Sequence, residues 1–107
     1  MDTIATAFID NPQPLETYKQ SIAYVTMSKL HKGEKLTRYE KDYITTSSVF
    51  HMGSIRLMGW RFDFRKYMKR YLVKIYGQWN EMYAFDKTSV RYALGAGVTE
   101  IHEIPAK

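Results

Sequence analysis

The hydrophobic period of this chain changes once, at Gly53, and that change narrows the folds open to it. Before Gly53 the apolar and aromatic residues recur at three- and four-residue spacing; from about Arg70 they alternate. A helix buries every third or fourth side chain and a half-buried strand every second, so helices are expected first and sheet second. The 107 residues leave room for one core, which makes the expected fold a single α+β domain across 1–107.

Residues 1–14 end in Asn11-Pro12-Gln13-Pro14, a run that resists helix and reads as an extended arm. From Leu15 the positions Tyr18, Ile22, Val25 and Leu30 keep helical spacing up to His31 and Lys32, with Gly33 as the stop. Thr37 and Glu40 then have the spacing of a capping box. They precede a second helix, from Arg38 to about Phe50, expected to align Tyr39, Tyr43, Ile44, Ser47 and Phe50 on one face. The short link between these helices predicts an antiparallel helical hairpin within 15–52.

The sheet part spans 55–104. Tyr71, Val73 and Ile75 alternate as one strand, and Trp79, Glu81, Tyr83 and Phe85 as its partner, turning around Gly77. Asp86 caps a short helix from Lys87 to Leu94, Gly95-Ala96-Gly97 ends it, and Val98 to Ile104 returns as a strand. The expected architecture is therefore an N-terminal helical hairpin followed by a small antiparallel ββαβ sheet unit, with Ile55 to Phe62 available as a further strand. Its core is expected to join Val73, Ile75, Trp79, Tyr83, Val90, Leu94 and Ile101.

Positive charge is concentrated in that second half. Between Arg56 and Tyr76 lie seven cations against the single acid Asp63, and this local +6 exceeds the +5 of the whole chain. Trp60, Phe62, Phe64, Tyr67, Tyr71 and Tyr76 are interleaved with them. Cations neutralise phosphates and flat rings stack on bases, so the composition suits a nucleic acid or nucleoprotein complex. The candidate contact residues are Arg56, Arg61, Arg65, Lys66, Tyr67, Lys69, Arg70, Tyr71, Lys74 and Tyr76. An acidic protein surface is a second partner of the right charge. The plainer role is a solvated strand face on which Lys74 opposes Glu81 or Glu100. Because Trp60, Phe62 and Phe64 alternate with Arg61, Asp63 and Arg65, these three rings are assigned to the core.

Chemistry-bearing patterns are few. The chain has no cysteine, which excludes disulfides, thiolate metal sites and cysteine nucleophiles. His31, His51 and His102 fall on three separate elements without local ligand spacing, so no metal or other cofactor is expected. Ser47 and Ser48 lack a nucleophile-elbow setting, and Gly95-Ala96-Gly97 follows a helix where a phosphate cradle precedes one. No catalytic residue emerges, and the expectation is a non-enzymatic binding protein. No apolar run nears the ~20 residues that span a bilayer, and the first 18 residues carry no cation, so a cytoplasmic protein without a membrane partner is expected.

The β-hairpin followed by Asp86-Lys87-Thr88-Ser89 and a short helix resembles, in topology, the strand–strand–helix modules of many small DNA- and RNA-binding domains. The short, cysteine-free chain also looks like the small accessory proteins of bacteriophages. That likeness implies an alternative: a protein-interaction module in the host-cell cytoplasm, inhibiting a host complex or forming part of a virion.

Overall fold

The computed structural model describes residues 4–105. It holds helices α1 (Ile22–Lys32), α2 (Arg38–Ser48) and α3 (Lys87–Leu94), and strands β1 (Thr6–Ala7), β2 (Ser54–Leu57), β3 (Trp60–Asp63), β4 (Lys69–Ile75), β5 (Gln78–Ala84) and β6 (Val98–Ile104). The strands form two antiparallel sheets, in the orders β1-β3-β2 and β5-β4-β6. Helix and sheet are mixed as expected, but the expected order, a helical hairpin and then one ββαβ sheet unit, is not cleanly matched, because the strands divide between two sheets and β1 precedes the helices. The segment around Ile55 to Phe62, however, is a hairpin of its own in a separate sheet. Each sheet has its own core: Ala23, Met27, Ile44, Phe62 and Phe64 are buried in one, and Tyr71, Val73, Met82, Val90 and Ile101 in the other.

The N-terminal arm is extended and anchored. Thr6 and Ala7 pair with Arg61 and Trp60, the Phe8 amide donates to the Gly59 carbonyl, and the Trp60 indole N–H donates to the Gln13 carbonyl. Residues 1–3 of the arm lie outside the described residues. The first helix begins later than its spacing predicts. Leu15–Tyr18 is a lone 3-10 turn, and α1 starts only where the Ser21 hydroxyl accepts the Tyr24 amide.

The capping box before α2 is complete: the Thr37 hydroxyl accepts the Glu40 amide, and the Glu40 carboxylate accepts the Thr37 amide at 2.8 Å. That carboxylate is buried and also accepts from Lys29 Nζ at 2.9 Å, which ties α1 to α2. Burial pushes its pKa up, yet the bonds from Thr37 and Lys29 outweigh burial and hold it below the ordinary value. The inward side of α2 carries Glu40, Ile44, Thr45 and Ser48, while Tyr39, Tyr43 and Phe50 face solvent. The expected aromatic face is thus the outer one. Its reason is the neighbour: α2 is joined to α3 by bonds from Arg38 to Asp86 and Ser89, and from Ser89 to Asp42, and small or polar side chains suit that contact.

Both hairpins close in two residues with left-handed backbone, Met58-Gly59 and Tyr76-Gly77, the geometry that matches strand twist. In the second, Tyr71 pairs with Met82 and Val73 with Asn80, so Met82 and Ala84 share the buried face of β4. Trp79 and Tyr83 point the other way. Trp79 is exposed, and Tyr83 packs on the first core, so neither belongs to the α3 core to which they were assigned. Val73, Val90 and Ile101 are buried there, with Ile75 and Leu94 packed against them.

Candidate nucleic-acid interface

The turn that links the two sheets organises the basic residues. Phe64 is fully buried, and after it Arg65–Tyr67 forms a single 3-10 turn before Met68 enters the core. With Phe64 and Met68 held inward, Arg65 and Lys66 between them are left exposed. On one side lies an open groove of about 710 Å³ lined by Arg65, Lys66, Met68, Lys69, Arg70, Tyr83, Glu103, Ile104 and Pro105. On the other lies a groove of about 530 Å³ lined by Ile4, Thr6, Met27, His31, Arg61, Asp63, Arg65, Lys66 and Tyr67. The grooves share Arg65 and Lys66, so Arg61, Arg65, Lys66, Lys69 and Arg70 gather around one ridge. Two acids, Asp63 and Glu103, line them as well.

Rings stand in the second groove. The Lys66 ammonium lies 5.5 Å from the centre of the Tyr67 ring, and the His31 ring is tilted beside Tyr67 at 5.9 Å. His31 and Tyr83 were not foreseen as groove residues. Each sits far along the chain from Lys66, on α1 and β5, and only tertiary packing brings them there.

The remaining candidates separate from this cluster. Arg56 is exposed on β2, directly opposite Arg61 across the ladder, with its guanidinium 5.3 Å from the Phe8 ring. Lys74 lies farther along β4, 3.7 Å from Glu100 and over the Trp79 ring at 5.6 Å. Tyr76 is exposed at the hairpin tip, roughly 20 Å along the strand from Lys69 at the usual rise per residue. Tyr71 leaves the candidate surface altogether, because it is 1% exposed in the second core and cannot stack on a ligand. Burial raises its phenol pKa, with Glu103 and Asp86 adding to the shift.

Acids from elsewhere in the chain temper the charge. Arg65 grips Asp63 with two nitrogens, the closest contact being 2.6 Å, and this hydrogen bonding holds the Asp63 carboxyl below its usual range against the opposing effect of burial. Arg70 donates to Glu81 at 2.8 Å, which raises its own pKa, and Lys69 lies 3.6 Å from Glu103. Among the described residues, Lys66 and Arg56 make no ion pair. Apart from the two-nitrogen Arg65–Asp63 pair, these pairs are solvated, and such pairs contribute only ~0–1 kcal/mol, so a phosphate can displace their carboxylates at little cost.

Three acidic or imidazole side chains do not gather anywhere among the described residues as a metal site would require, and no helix there is long and apolar enough to cross a membrane. Comparison with protein-family models, curated proteins and solved structures finds no match.

Proposed function

We propose that the protein binds nucleic acid, alone or within a nucleoprotein complex, through the two basic grooves, without catalysing a reaction on it, in the cytoplasm. The observation that carries this reading is the convergence of Arg61 from β3, Arg65 and Lys66 from the 3-10 turn, and Lys69 and Arg70 from β4 on one ridge. Guanidinium and ammonium groups neutralise phosphates, and the Tyr67 and His31 rings offer a face to an unpaired base. Among the described residues no long basic helix is available to enter a major groove, so backbone charge governs affinity and sequence preference is weak.

The test is a titration of labelled single-stranded and duplex oligonucleotides at several salt concentrations. With about four phosphates neutralised on duplex DNA, log affinity falls against log salt with a slope of roughly −4. Replacing Arg61 and Lys66 together by Gln weakens binding and makes the slope shallower by about 2. Replacing Lys74, which lies outside the grooves beside Glu100, leaves both nearly unchanged. Affinity insensitive to salt, or no binding to either oligonucleotide in dilute salt, overturns the reading in favour of the protein-docking alternative.

A further inference from the structure

The second sheet ends on a strand with an open edge. Its order is β5-β4-β6, and among the described residues β6 is laddered to β4 alone. The alternation of the ladders says which groups point to the open side. The two-residue turn makes Ile75–Gln78 the closing hydrogen-bonded pair of β4 and β5, so odd-numbered residues of β4 bond towards β5. Even-numbered ones bond towards β6, as the Tyr76 amide does to the Gly97 carbonyl. Leu72–His102 and Arg70–Ile104 are therefore bonded pairs, and the N–H and C=O groups of Ile101 and Glu103 turn outward. Such an edge is a template for one more strand.

We infer that the strand it takes is β6 of a second copy, antiparallel about a two-fold axis at Ile101, so that the two three-stranded sheets become one. The reason is that β6 is chemically complementary to its own reverse. This register pairs all 7 residues: Val98 meets Ile104, Thr99 meets Glu103, Glu100 meets His102, and Ile101 meets its own copy. Apolar meets apolar, and each acid meets a hydroxyl or an imidazole that can donate to it. A slip of two residues either way sets Glu100 on Glu100 or His102 on His102, and a slip of one sets the buried face of one copy against the exposed face of the other. Charges on an edge ordinarily keep other strands away, and here Glu100 is answered only when an imidazole or a cation comes opposite. The other long edge fails the same test: β5 reversed about its middle residue sets Glu81 on Glu81. The inference does not rest on nucleic-acid binding, since Arg65 and Lys66 lie on the turn before β4 and form no part of this edge.

Sedimentation equilibrium of the full chain, joined to amide hydrogen exchange below and above the association midpoint, tests the inference. A reversible dimer with a micromolar dissociation constant is expected. In it the outward amides of Ile101 and Glu103, fast in the monomer, become slow, while that of Glu81 on the β5 edge stays fast. His102→Glu sets acid against acid at both ends of the axis and weakens the dimer about tenfold, and adding Glu100→Lys restores the constant to within about threefold of the wild type. Both side chains are exposed, so circular dichroism is unchanged. A chain that stays monomeric into the millimolar range overturns the inference. So does a dimer in which the Ile101 and Glu103 amides stay fast, or one that is indifferent to His102→Glu or not recovered by the double variant. Should the variants fail to fold, exchange in the wild-type chain decides.

Discussion

The two hairpins turn in the same way and treat their charges in opposite ways. In β2–β3, Arg56 and Arg61 face each other across the ladder. In β4–β5 and the adjoining β6, Arg70 meets Glu81 and Lys74 meets Glu100. Like charges opposed on a sheet repel and opposite charges attract, so the first hairpin, with Asp63 against Arg56 and Arg61, keeps a net positive charge, whereas the cations of the second are offset once Glu100 and Glu103 of β6 are counted with Glu81. Charge counted along a strand therefore becomes surface potential only after the acids across the ladder are subtracted. Between Arg56 and Tyr76 the chain holds one acid, but in space Glu81, Glu100 and Glu103 join it beside these cations. What survives is concentrated on Arg56, Arg61 and the Arg65–Lys66 turn.

Their surroundings separate the hairpins most sharply at the turn glycines. A Cβ on Gly59 would lie 2.9 Å from the Pro12 Cα and 2.8 Å from Ile9, whereas one on Gly77 meets nothing within 4 Å. Both carry positive φ, which costs an alanine about 1–2 kcal/mol, and overpacking against the arm adds ~1–3 kcal/mol at Gly59 alone. Urea unfolding is thus expected to show a loss of about 2–5 kcal/mol for Gly59→Ala and about 1–2 kcal/mol for Gly77→Ala. Equal losses would mean that the arm does not sit on the first turn.

A smaller effect separates them by pH. Asp86, which caps α3 behind the second hairpin, feels burial pushing its pKa up, but bonds from Arg38 and the Ser89 amide bring it down to about 2. A carboxylate with a lowered folded pKa stabilises fully above the unfolded value, near 3.8, and that stability is lost as pH falls from about 4 towards 2. Asp86→Asn keeps a capping oxygen and removes the charge, so at neutral pH it is expected to cost ~1–2 kcal/mol after solvent screening. Between pH 4 and 2 the variant's unfolding free energy should fall less steeply than the wild type's. Glu40 and Asp63, also lowered, add to the loss in both proteins.

The smallest effect has the opposite sign. Arg56→Thr removes one of two facing cations from the first hairpin and keeps a β-branched residue, so a gain of ~0.2–1 kcal/mol in thermal or urea unfolding is expected. The corresponding change at Lys74, which has Glu100 beside it, should give no gain. A gain at both sites would erase the contrast between the hairpins.

Features decided within a few residues were legible in the sequence. The Thr37–Glu40 box, the Gly33 stop, the Asp86 cap and the turn at Gly77 all form as their local spacing implies. The facing of β5 was not, because its two parities are nearly balanced: Trp79 and Tyr83 on one, Met82 and Ala84 on the other. Period alone cannot choose between such faces, and pairing with β4 and packing on α3 made the choice. The outward rings of α2 were hidden for a related reason, since Tyr39, Tyr43 and Phe50 outweigh Ile44 in apolar content, although Thr45 and Ser48 fit beside a neighbouring helix. At the candidate site the run of cations was plain. Its division into a ridge, a cancelled strand and the buried Tyr71 depended on partners tens of residues away.

The brevity of β1 sets a timescale hierarchy within the protein. Two residues of ladder hold the arm to β3, while β4 is laddered along both edges. Hydrogen exchange is therefore expected to be slowest at the amides of β4 and faster at Thr6 and Ala7, whose release costs only the arm's own contacts, among them buried Ala5 and the Phe8 amide on the Gly59 carbonyl.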